Sequence, residues 1–239
     1  MKTLYLSTAY LDDLMVRMAH HSTAIEGNSL TQGETKSVLI DGYVPRAIDL
    51  RELNEVLNYK AFTKEMVRFL QEKREVNGEF IKEIHSILCR EAIESVPGKF
   101  KTQPNMVIGA DFTPSPPYRV PMDIEQWRQD LDYQLKNAAD TRTMVEAICR
   151  QHFRFERIHP FPDGNGRFGR ALMVYSALQK KLPPIVIPVD EKKKYINFLN
   201  TEDLNGFVEF CLVLQQKEVE RIKILADERD KVLEIYTEE

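Results

Sequence analysis

The stretch that decides the fold of this chain is His159-Pro-Phe-Pro-Asp-Gly-Asn-Gly-Arg-Phe-Gly-Arg170. It passes from a glycine- and proline-rich turn into an apolar segment, residues 171–178, and this predicts the start of a helix. A helix N-terminus presents unpaired backbone N–H groups and a partial positive charge, so it favours an anion. Arg167 and Arg170 are three residues apart and share one face of the first helical turn. Their guanidinium groups suit a run of phosphate oxygens, so the stretch predicts a phosphate site.

Two other side chains of the stretch add chemistry to this site. Asp163 offers a hard carboxylate oxygen beside the phosphates, where Mg²⁺ joins protein and ligand. His159 stands at the entrance, and a histidine titrates near neutrality, so it suits removal of a proton from an incoming hydroxyl. The sequence therefore predicts a nucleotide-phosphate site with a base.

The same glycines also match the dinucleotide fingerprint G-x-G-x-x-G, through Gly164, Gly166 and Gly169. That fingerprint requires a buried strand immediately before it. Residues 154–162 contain two prolines and four charged or imidazole side chains, which argues against such a strand. The sequence also has no second βαβ pattern and no G-x-x-x-x-G-K-[ST] loop, so we reject the Rossmann and P-loop interpretations.

The stretch resembles the signature of Fic domains, H-x-F-x-[DE]-G-N-G-R-x-x-R, at every defined position. The resemblance extends over about residues 20–200. It implies a mainly α fold, a Fic-type helical bundle with a small β-hairpin flap. It also implies a protein adenylyltransferase, an enzyme that moves AMP from ATP onto a Tyr, Thr or Ser hydroxyl of a target protein or of itself.

The resemblance implies a role for each residue of the stretch. His159 would deprotonate the target hydroxyl, Asp163 would hold Mg²⁺, and Phe161 would anchor the loop in the core. The phosphates of ATP would contact the remaining residues, namely Gly164, Asn165 and Gly166 (backbone and amide) around the α- and β-phosphates, Arg167 at the β-phosphate and Arg170 at the γ-phosphate.

A second resemblance lies upstream, where Ser22 and Glu26 share one face at the end of a predicted helix. The segment is similar to the inhibitory motif [ST]-x-x-x-E-[GN] of many Fic proteins. This implies that Glu26 pairs with Arg170 and keeps the γ-phosphate from seating, so that the protein inhibits itself. The alternative is an ordinary helix C-terminus with a solvent-exposed glutamate.

Residues 98–121 interrupt the helical pattern with several prolines and one apolar cluster, and this predicts a short β-hairpin. In the resemblance this segment is the flap, which holds the target protein by strand addition. Ile108 and Gly109 would then lie near the nucleotide, and Tyr195, in a predicted helix over 191–199, would contact it. A plain structural loop is the alternative for the flap residues.

Capping signals predict helix starts at Thr31, Asp49 and Asp123, and the last helix is expected over residues 207–235. That helix packs on the core or on another copy of the chain, which leaves a homo-oligomer open. We expect a single compact domain made of an N-terminal helix with the inhibitory motif (1–30), packed on the core, a Fic core (31–203) with the flap (98–121) and the signature (159–170), and a C-terminal helix (204–239).

Composition bounds the partners and the location. The net charge of −4 excludes no enzyme class but does not indicate a nucleic-acid binder, whereas five arginines within 150–170 favour an anionic ligand. The three cysteines are odd in number and widely spaced, and no histidine pattern typical of zinc occurs. No apolar run suggests a membrane span or a leader peptide, so we expect a cytoplasmic protein that binds neither membrane nor nucleic acid.

Two other functions remain open from the sequence. The same pocket could remove AMP from a modified protein, with Glu26 as the base that positions water. Alternatively, the chain could be a non-catalytic regulator that binds ATP and a peptide. An intact His159 favours chemistry, because binding alone needs no base there.

Overall fold

The structure, a computed structural model, describes residues 2–107, 112–227 and 229–237, and it is mainly α-helical, as the sequence predicts. In chain order its elements are β1 (Lys2–Leu6), α1 (Thr8–Ile25), α2 (Gln32–Lys36), α3 (Leu50–Gln71), α4 (Gly78–Leu88), α5 (Val120–Asn137), α6 (Thr141–Ile158), α7 (Asn165–Gln179), α8 (Lys192–Thr201), α9 (Leu204–Ile224) and β2 (Leu233–Thr237). Helix α2 continues into one π-helical turn, Ser37–Asp41.

Two of the three predicted helix starts are confirmed. Thr31 opens α2 with a capping box, and the Asp49 carboxylate accepts N–H groups from the first turn of α3. The predicted start at Asp123 is wrong, because α5 begins at Val120. Pro121 suits the first turn of a helix, where its missing N–H costs no helical hydrogen bond, so Asp123 lies inside that turn.

Helix α7 runs through the centre of the molecule. Almost all of its residues are buried, and beyond Arg170 its side chains are mostly apolar or small on every side, so it must be surrounded by other elements. Helices α1, α3, α4 and α6 pack against it. Because the first turn of α7 carries the end of the signature, the predicted phosphate site lies where these helices converge.

The two strands join the two ends of the described chain. Strand β1 pairs with β2 in an antiparallel sheet whose register matches Lys2 with Thr237. The predicted last helix over 207–235 is therefore wrong in its second part, since α9 ends at Ile224. The Asp227 carboxylate accepts the Arg229 N–H at 2.9 Å, which turns the chain, and Ile235 of β2 is fully buried.

Helix α1 is attached to α9 by buried charged groups. Arg17 of α1 donates two hydrogen bonds to the Glu218 carboxylate of α9, at 2.9 and 2.5 Å. The Tyr10 hydroxyl donates to the same carboxylate at 2.7 Å. All three side chains are buried, so the N-terminal half of α1 has a fixed position on the rest of the molecule.

The described part of the predicted flap contains no strand. Residues 98–107 and 112–116 are irregular, and residues 117–119 form a short 3₁₀ turn before α5. The prolines of this segment cannot donate to a strand ladder, which agrees with its irregular path. Ile108 and Gly109 lie outside the described residues.

Among the described residues, no helix combines the length and the apolar character that crossing a membrane requires. The predicted domain boundaries after residues 30 and 203 stay predictions.

Candidate active site

The signature forms the loop between α6 and the start of α7. His159 ends α6 with φ at +47°, a left-handed conformation that is uncommon for a residue with a side chain. Gly164, at φ +76°, precedes the first turn of α7. A Cβ at Gly164 would collide with the Cys89 sulfur of the segment after α4, so only glycine fits here. The loop therefore lies directly on α4.

Asn165 fastens this loop to the helix. Its amide oxygen accepts the Phe161 N–H at 2.9 Å, and its amide nitrogen donates to the Phe161 carbonyl at 2.8 Å. The amide is buried and uses its oxygen and one of its two N–H donors on Phe161. The amide thus holds the loop, and its expected contact with the phosphates stays a prediction.

His85 supports the loop from α4. Its ring stacks on Phe161 with the ring centroids 3.6 Å apart. The Gly98 N–H donates to His85 Nδ1 at 2.9 Å, so Nε2 carries the proton and donates to the Asp163 carbonyl at 2.9 Å. Burial lowers the pKa of His85 to about 4, which keeps the ring neutral. The sequence indicated only a surface or packing histidine at this position.

The base of the predicted flap also holds the loop. Asn105 donates to the carbonyls of His159 and Phe161 at 3.3 and 2.9 Å. The buried Lys101 ammonium donates to the Ile158 carbonyl at 3.3 Å, and the Lys101 N–H donates to the Pro160 carbonyl at 2.9 Å. Burial lowers the pKa of Lys101 to about 8. No sequence pattern pointed to these two residues, because their partners lie more than 50 positions away.

His159 has the geometry of a base. Its Nδ1 lies 3.3 Å from the Glu156 carbonyl, to which an Nδ1–H donates, and this leaves Nε2 as the acceptor. Burial lowers the pKa of His159 to about 4, and the neighbouring Lys101 charge acts in the same direction. The imidazole is therefore neutral at physiological pH and can accept a proton.

Arg167 is a buried cation at the helix start whose hydrogen-bonding capacity is incompletely used. Its Nη1 lies 3.6 Å from Glu55 of α3 and its Nη2 lies 3.7 Å from Asp163, beyond hydrogen-bond distance. Nη1 has no hydrogen-bond partner among the described residues. An anion at the N-terminus of α7 would satisfy this group. Glu55 comes from another helix, and no local pattern in the sequence indicated that it lies beside Arg167.

Asp163 is the acidic group at the mouth of the site. Its side chain is 59% exposed, and its carboxylate accepts the Gly164 N–H at 2.5 Å. In the described part of the chain, no group of three or more His, Cys, Asp and Glu side chains could hold a metal ion. A single exposed carboxylate still fits Mg²⁺, since this ion is often bound by one carboxylate together with ligand phosphates and water.

Helix α1 reaches Arg170 with its last turn. Arg170 Nη2 donates to Glu26 Oε1 at 2.5 Å and to the Ser22 carbonyl at 3.0 Å, and its Nε donates to the Ser22 hydroxyl at 2.9 Å. Burial opposes ionisation of Glu26, but the Arg170 charge outweighs it and lowers the pKa of Glu26. A Cβ at Gly166 would lie 2.9 Å from Arg170 Nη1 and would collide with Glu26, so glycine permits this close approach.

Tyr195 of α8 lies behind this ion pair. Its ring is buried, the centroid of the ring is 5.9 Å from the Arg170 Cζ, and its hydroxyl is 2.8 Å from His152 Nε2. A contact between Tyr195 and a nucleotide stays a prediction. The structure thus brings His159, Asp163 and the two arginines of the signature together with the last turn of α1.

Comparison with known proteins also finds similarity to Fic proteins. Residues 75–177 match the Fic/DOC family. The chain is similar to protein adenylyltransferase fic-1 of Caenorhabditis elegans, with 29% identity over 211 residues that cover 84% of this chain and 40% of the relative. It is also similar to protein adenylyltransferase Fic of Drosophila melanogaster, with 28% identity over 221 residues that cover 91% of this chain and 41% of the relative. The chain thus spans less than half of the length of these relatives.

Solved structures share the fold. A Fic domain containing signaling protein from Bacteroides thetaiotaomicron has a TM-score of 0.78 and 25% identity, covering 90% of this chain and 86% of that one. A fragment of Fic-1 from C. elegans has a TM-score of 0.71 and 26% identity, covering 90% of this chain and 65% of that one. The signature geometry, the match of residues 75–177 and these relatives agree that the chain is similar to Fic domains and to proteins named protein adenylyltransferase.

Proposed function

We propose that this chain is a protein adenylyltransferase that transfers AMP from ATP to a Tyr, Thr or Ser hydroxyl of a target protein and of itself. The observation that carries the proposal is the neutral His159, with its Nδ1 held by the Glu156 carbonyl, beside a helix start with two buried arginines. The names of the relatives in C. elegans and D. melanogaster support the same activity.

The chemical step uses one base and one leaving group. His159 Nε2 accepts the proton of the target hydroxyl while the hydroxyl oxygen forms a bond to the α-phosphorus of ATP. The bond between the α-phosphorus and the bridging oxygen breaks, and pyrophosphate leaves with the electron pair. AMP is then esterified to the target side chain. Positioning and neutralisation of charge supply most of the rate enhancement in such transfers.

The phosphates have three sources of binding energy in this site. Backbone N–H groups at the start of α7 face the anion, and the unpartnered Nη1 of Arg167 gains an acceptor. Asp163 would hold Mg²⁺, which supplies positive charge to the phosphates. Gly164 and Gly166 keep side chains away from this surface.

Self-inhibition follows from the partner of Arg170. In the structure Glu26 and Ser22 occupy this guanidinium, so a γ-phosphate would have to displace Glu26 before it could bind Arg170. The ionised Glu26 carboxylate also repels a phosphate. The target protein would dock on the flap, residues 98–121, with its hydroxyl toward His159. The proposed enzyme is thus autoinhibited by Glu26.

Removal of AMP from a modified protein is the second candidate. Glu26 is ionised and its side chain is 43% exposed, so it has the charge state and the access that a base for water requires. The variant Glu26→Ala separates the two functions, because it abolishes AMP removal while it raises AMP transfer.

The test uses purified protein, Mg²⁺ and ATP labelled on either the α- or the γ-phosphate, with cell lysate as the source of target. We expect α-label on protein with Glu26→Gly, a weak signal with the wild type and no signal with His159→Ala. Label from the γ-phosphate would establish a kinase instead. If α-label is absent with Glu26→Gly, AMP transfer is excluded.

A further inference from the structure

A buried carboxyl beneath the base has no role in the step described above. Glu156 lies on the last turn of α6 and is only 9% exposed. Its Oε2 is 4.0 Å from His159 Nδ1, and its Oε1 is 3.9 Å from His152 Nε2. Oε1 has no hydrogen-bond partner in the described part of the chain. A buried carboxyl without a partner is costly, so packing alone does not explain this glutamate.

The signature itself provides space for this carboxyl. A Cβ at Gly169 of α7 would lie 2.5 Å from Glu156 Oε1 and 2.9 Å from His152 Cε1. These distances are shorter than van der Waals contact, so a side chain at Gly169 would displace the carboxyl from its place. Glycine at position 169 therefore leaves room for the Glu156 carboxyl behind His159.

Charged and titratable groups face Glu156 from every helix around it. Arg170 of α7 attracts the carboxylate, Glu26 of α1 repels it, and the Tyr195 hydroxyl of α8 interacts with it. On α6 itself its neighbours are His152 and His159. Burial is the largest influence and raises the pKa of Glu156 to about 7, so the side chain changes its charge near neutral pH.

We infer that Glu156 is a positioning residue for His159, and that its carboxylate stabilises the imidazolium formed when Nε2 takes the proton of the target hydroxyl. The inference rests on the AMP transfer proposed above. The backbone carbonyl of Glu156 fixes the tautomer of His159, and its side chain offsets the new positive charge. The proton stays on Nε2, and no bond to the carboxyl forms or breaks.

His159 needs this support because burial and Lys101 disfavour its protonation more strongly than the Glu26 and Asp163 carboxylates favour it. Burial removes water from the ring, and the Lys101 ammonium adds a positive charge nearby. A base that cannot hold the proton it accepts is a weak base. The Glu156 carboxylate is the anionic group within 4.0 Å of Nδ1, on the side of the ring that faces away from the reacting Nε2.

The first test measures the coupling without any reaction. Histidine-labelled protein is titrated by NMR, and the His159 ring signals are identified by their loss in His159→Ala. We expect a step near pH 7 in the His159 signals of the wild type and of Glu146→Gln, a matched control at an ion-paired glutamate of α6 exposed to solvent. The step disappears in Glu156→Gln. Absence of the step in the wild type overturns the inference, even if the variant does not fold.

The second test measures the pH dependence of AMP transfer in the Glu26→Gly background. The rate without Glu156→Gln, divided by the rate with it, should rise from about 1 near pH 6 to about tenfold near pH 8.5, because only an ionised carboxylate supports the base. A ratio that does not change with pH indicates a merely structural residue and overturns the inference. If Glu26→Gly transfers no AMP, the proposed function fails, and the NMR step still decides the role of Glu156.

Discussion

Individual side chains hold the catalytic loop in one conformation, and Asn165 is the clearest example. Its amide makes both hydrogen bonds to the backbone of Phe161 and is itself buried. Asn165→Ala leaves the buried Phe161 N–H without a partner and removes one of the two donors to the Phe161 carbonyl, so we expect the free energy of unfolding to fall by about 2 kcal/mol. Urea unfolding measures this change.

The matched control is Asn137→Ala at the end of α5. This exposed amide donates one hydrogen bond to the Tyr133 carbonyl, and its loss should cost less than about 0.5 kcal/mol. Equal effects of the two variants would show that the Asn165 amide does not hold the loop.

Ionisation of the buried Glu156 carboxyl lowers the stability of the folded protein. Its pKa rises from 4.5 in the unfolded chain to about 7 in the folded protein, so the folded state holds the proton more tightly. The resulting stability is present below pH 4.5 and is lost as the pH rises to about 7. Glu156→Gln should therefore stabilise the protein at about pH 8 by about 2 to 3 kcal/mol more than it does at about pH 5.

Urea unfolding at these two pH values gives the comparison. Glu146→Gln should change the free energy of unfolding by similar, small amounts at both. A Glu156→Gln effect that is independent of pH would mean that Glu156 is ionised throughout this range in the folded protein.

Local patterns predicted the residues of the signature, whereas they did not predict contacts between distant segments, and the pair of Glu26 and Arg170 was expected only from the resemblance. His159, Asp163, Arg167 and Arg170 lie within one turn and loop, so their spacing was sufficient to place them together. The groups that support them come from other elements, and no local sequence pattern indicated their contacts with the signature. These groups are Glu55, His85, Lys101 and Asn105.

At the scale of helices, the position of α1 determines where Glu26 lies. The buried pair of Arg17 and Glu218 attaches α1 to α9. Arg17→Met leaves the Glu218 carboxylate buried without its cation, so we expect a loss of about 3 to 5 kcal/mol in the free energy of unfolding. The double variant Arg17→Met, Glu218→Leu should regain part of this loss, because the buried pair of charges is gone while the buried Tyr10 hydroxyl loses its acceptor.

An exposed ion pair provides the control for this prediction. Arg142 and Glu209 join α6 to α9 with side chains that are 51% and 62% exposed. Arg142→Met should cost less than about 1 kcal/mol in the same urea experiment. If Arg17→Met is as mild as Arg142→Met, the buried pair does not hold α1 in place.

Helices with their own capping signals were predictable, and the ends of the chain were not. Thr31 and Asp49 satisfy the first N–H groups of their helices from neighbouring positions, so the signal is local. Strand β2 exists because it pairs with β1 at the other end of the chain, and periodicity within residues 207–235 carries no information on that partner. The same limit applies to the flap, whose described residues bond to the signature loop and not to each other as a hairpin.

Over the whole molecule, the helix that ends beside Glu26 and the helix that carries Arg167 and Arg170 belong to one core. Helix α1 packs on α3 and α7, so Glu26 reaches Arg170 from within the chain and without help from a partner. Helix α1 ends beside Glu26, and Gly27 follows at φ +105°. The first half of α1 is attached to β2 through β1 and to α9 through Arg17.

The most direct test of this account is the initial rate of AMP transfer from α-labelled ATP by the wild type, Glu26→Gly and Glu72→Gly. Both glutamates end a helix, α1 and α3 respectively, but Glu72 has no part in the site. We expect Glu26→Gly to raise the rate by about tenfold or more, since a coupling of about 1.4 kcal/mol is removed, and Glu72→Gly to leave it unchanged. Adding His159→Ala to Glu26→Gly should abolish transfer. Equal rates for the wild type and Glu26→Gly would contradict the account.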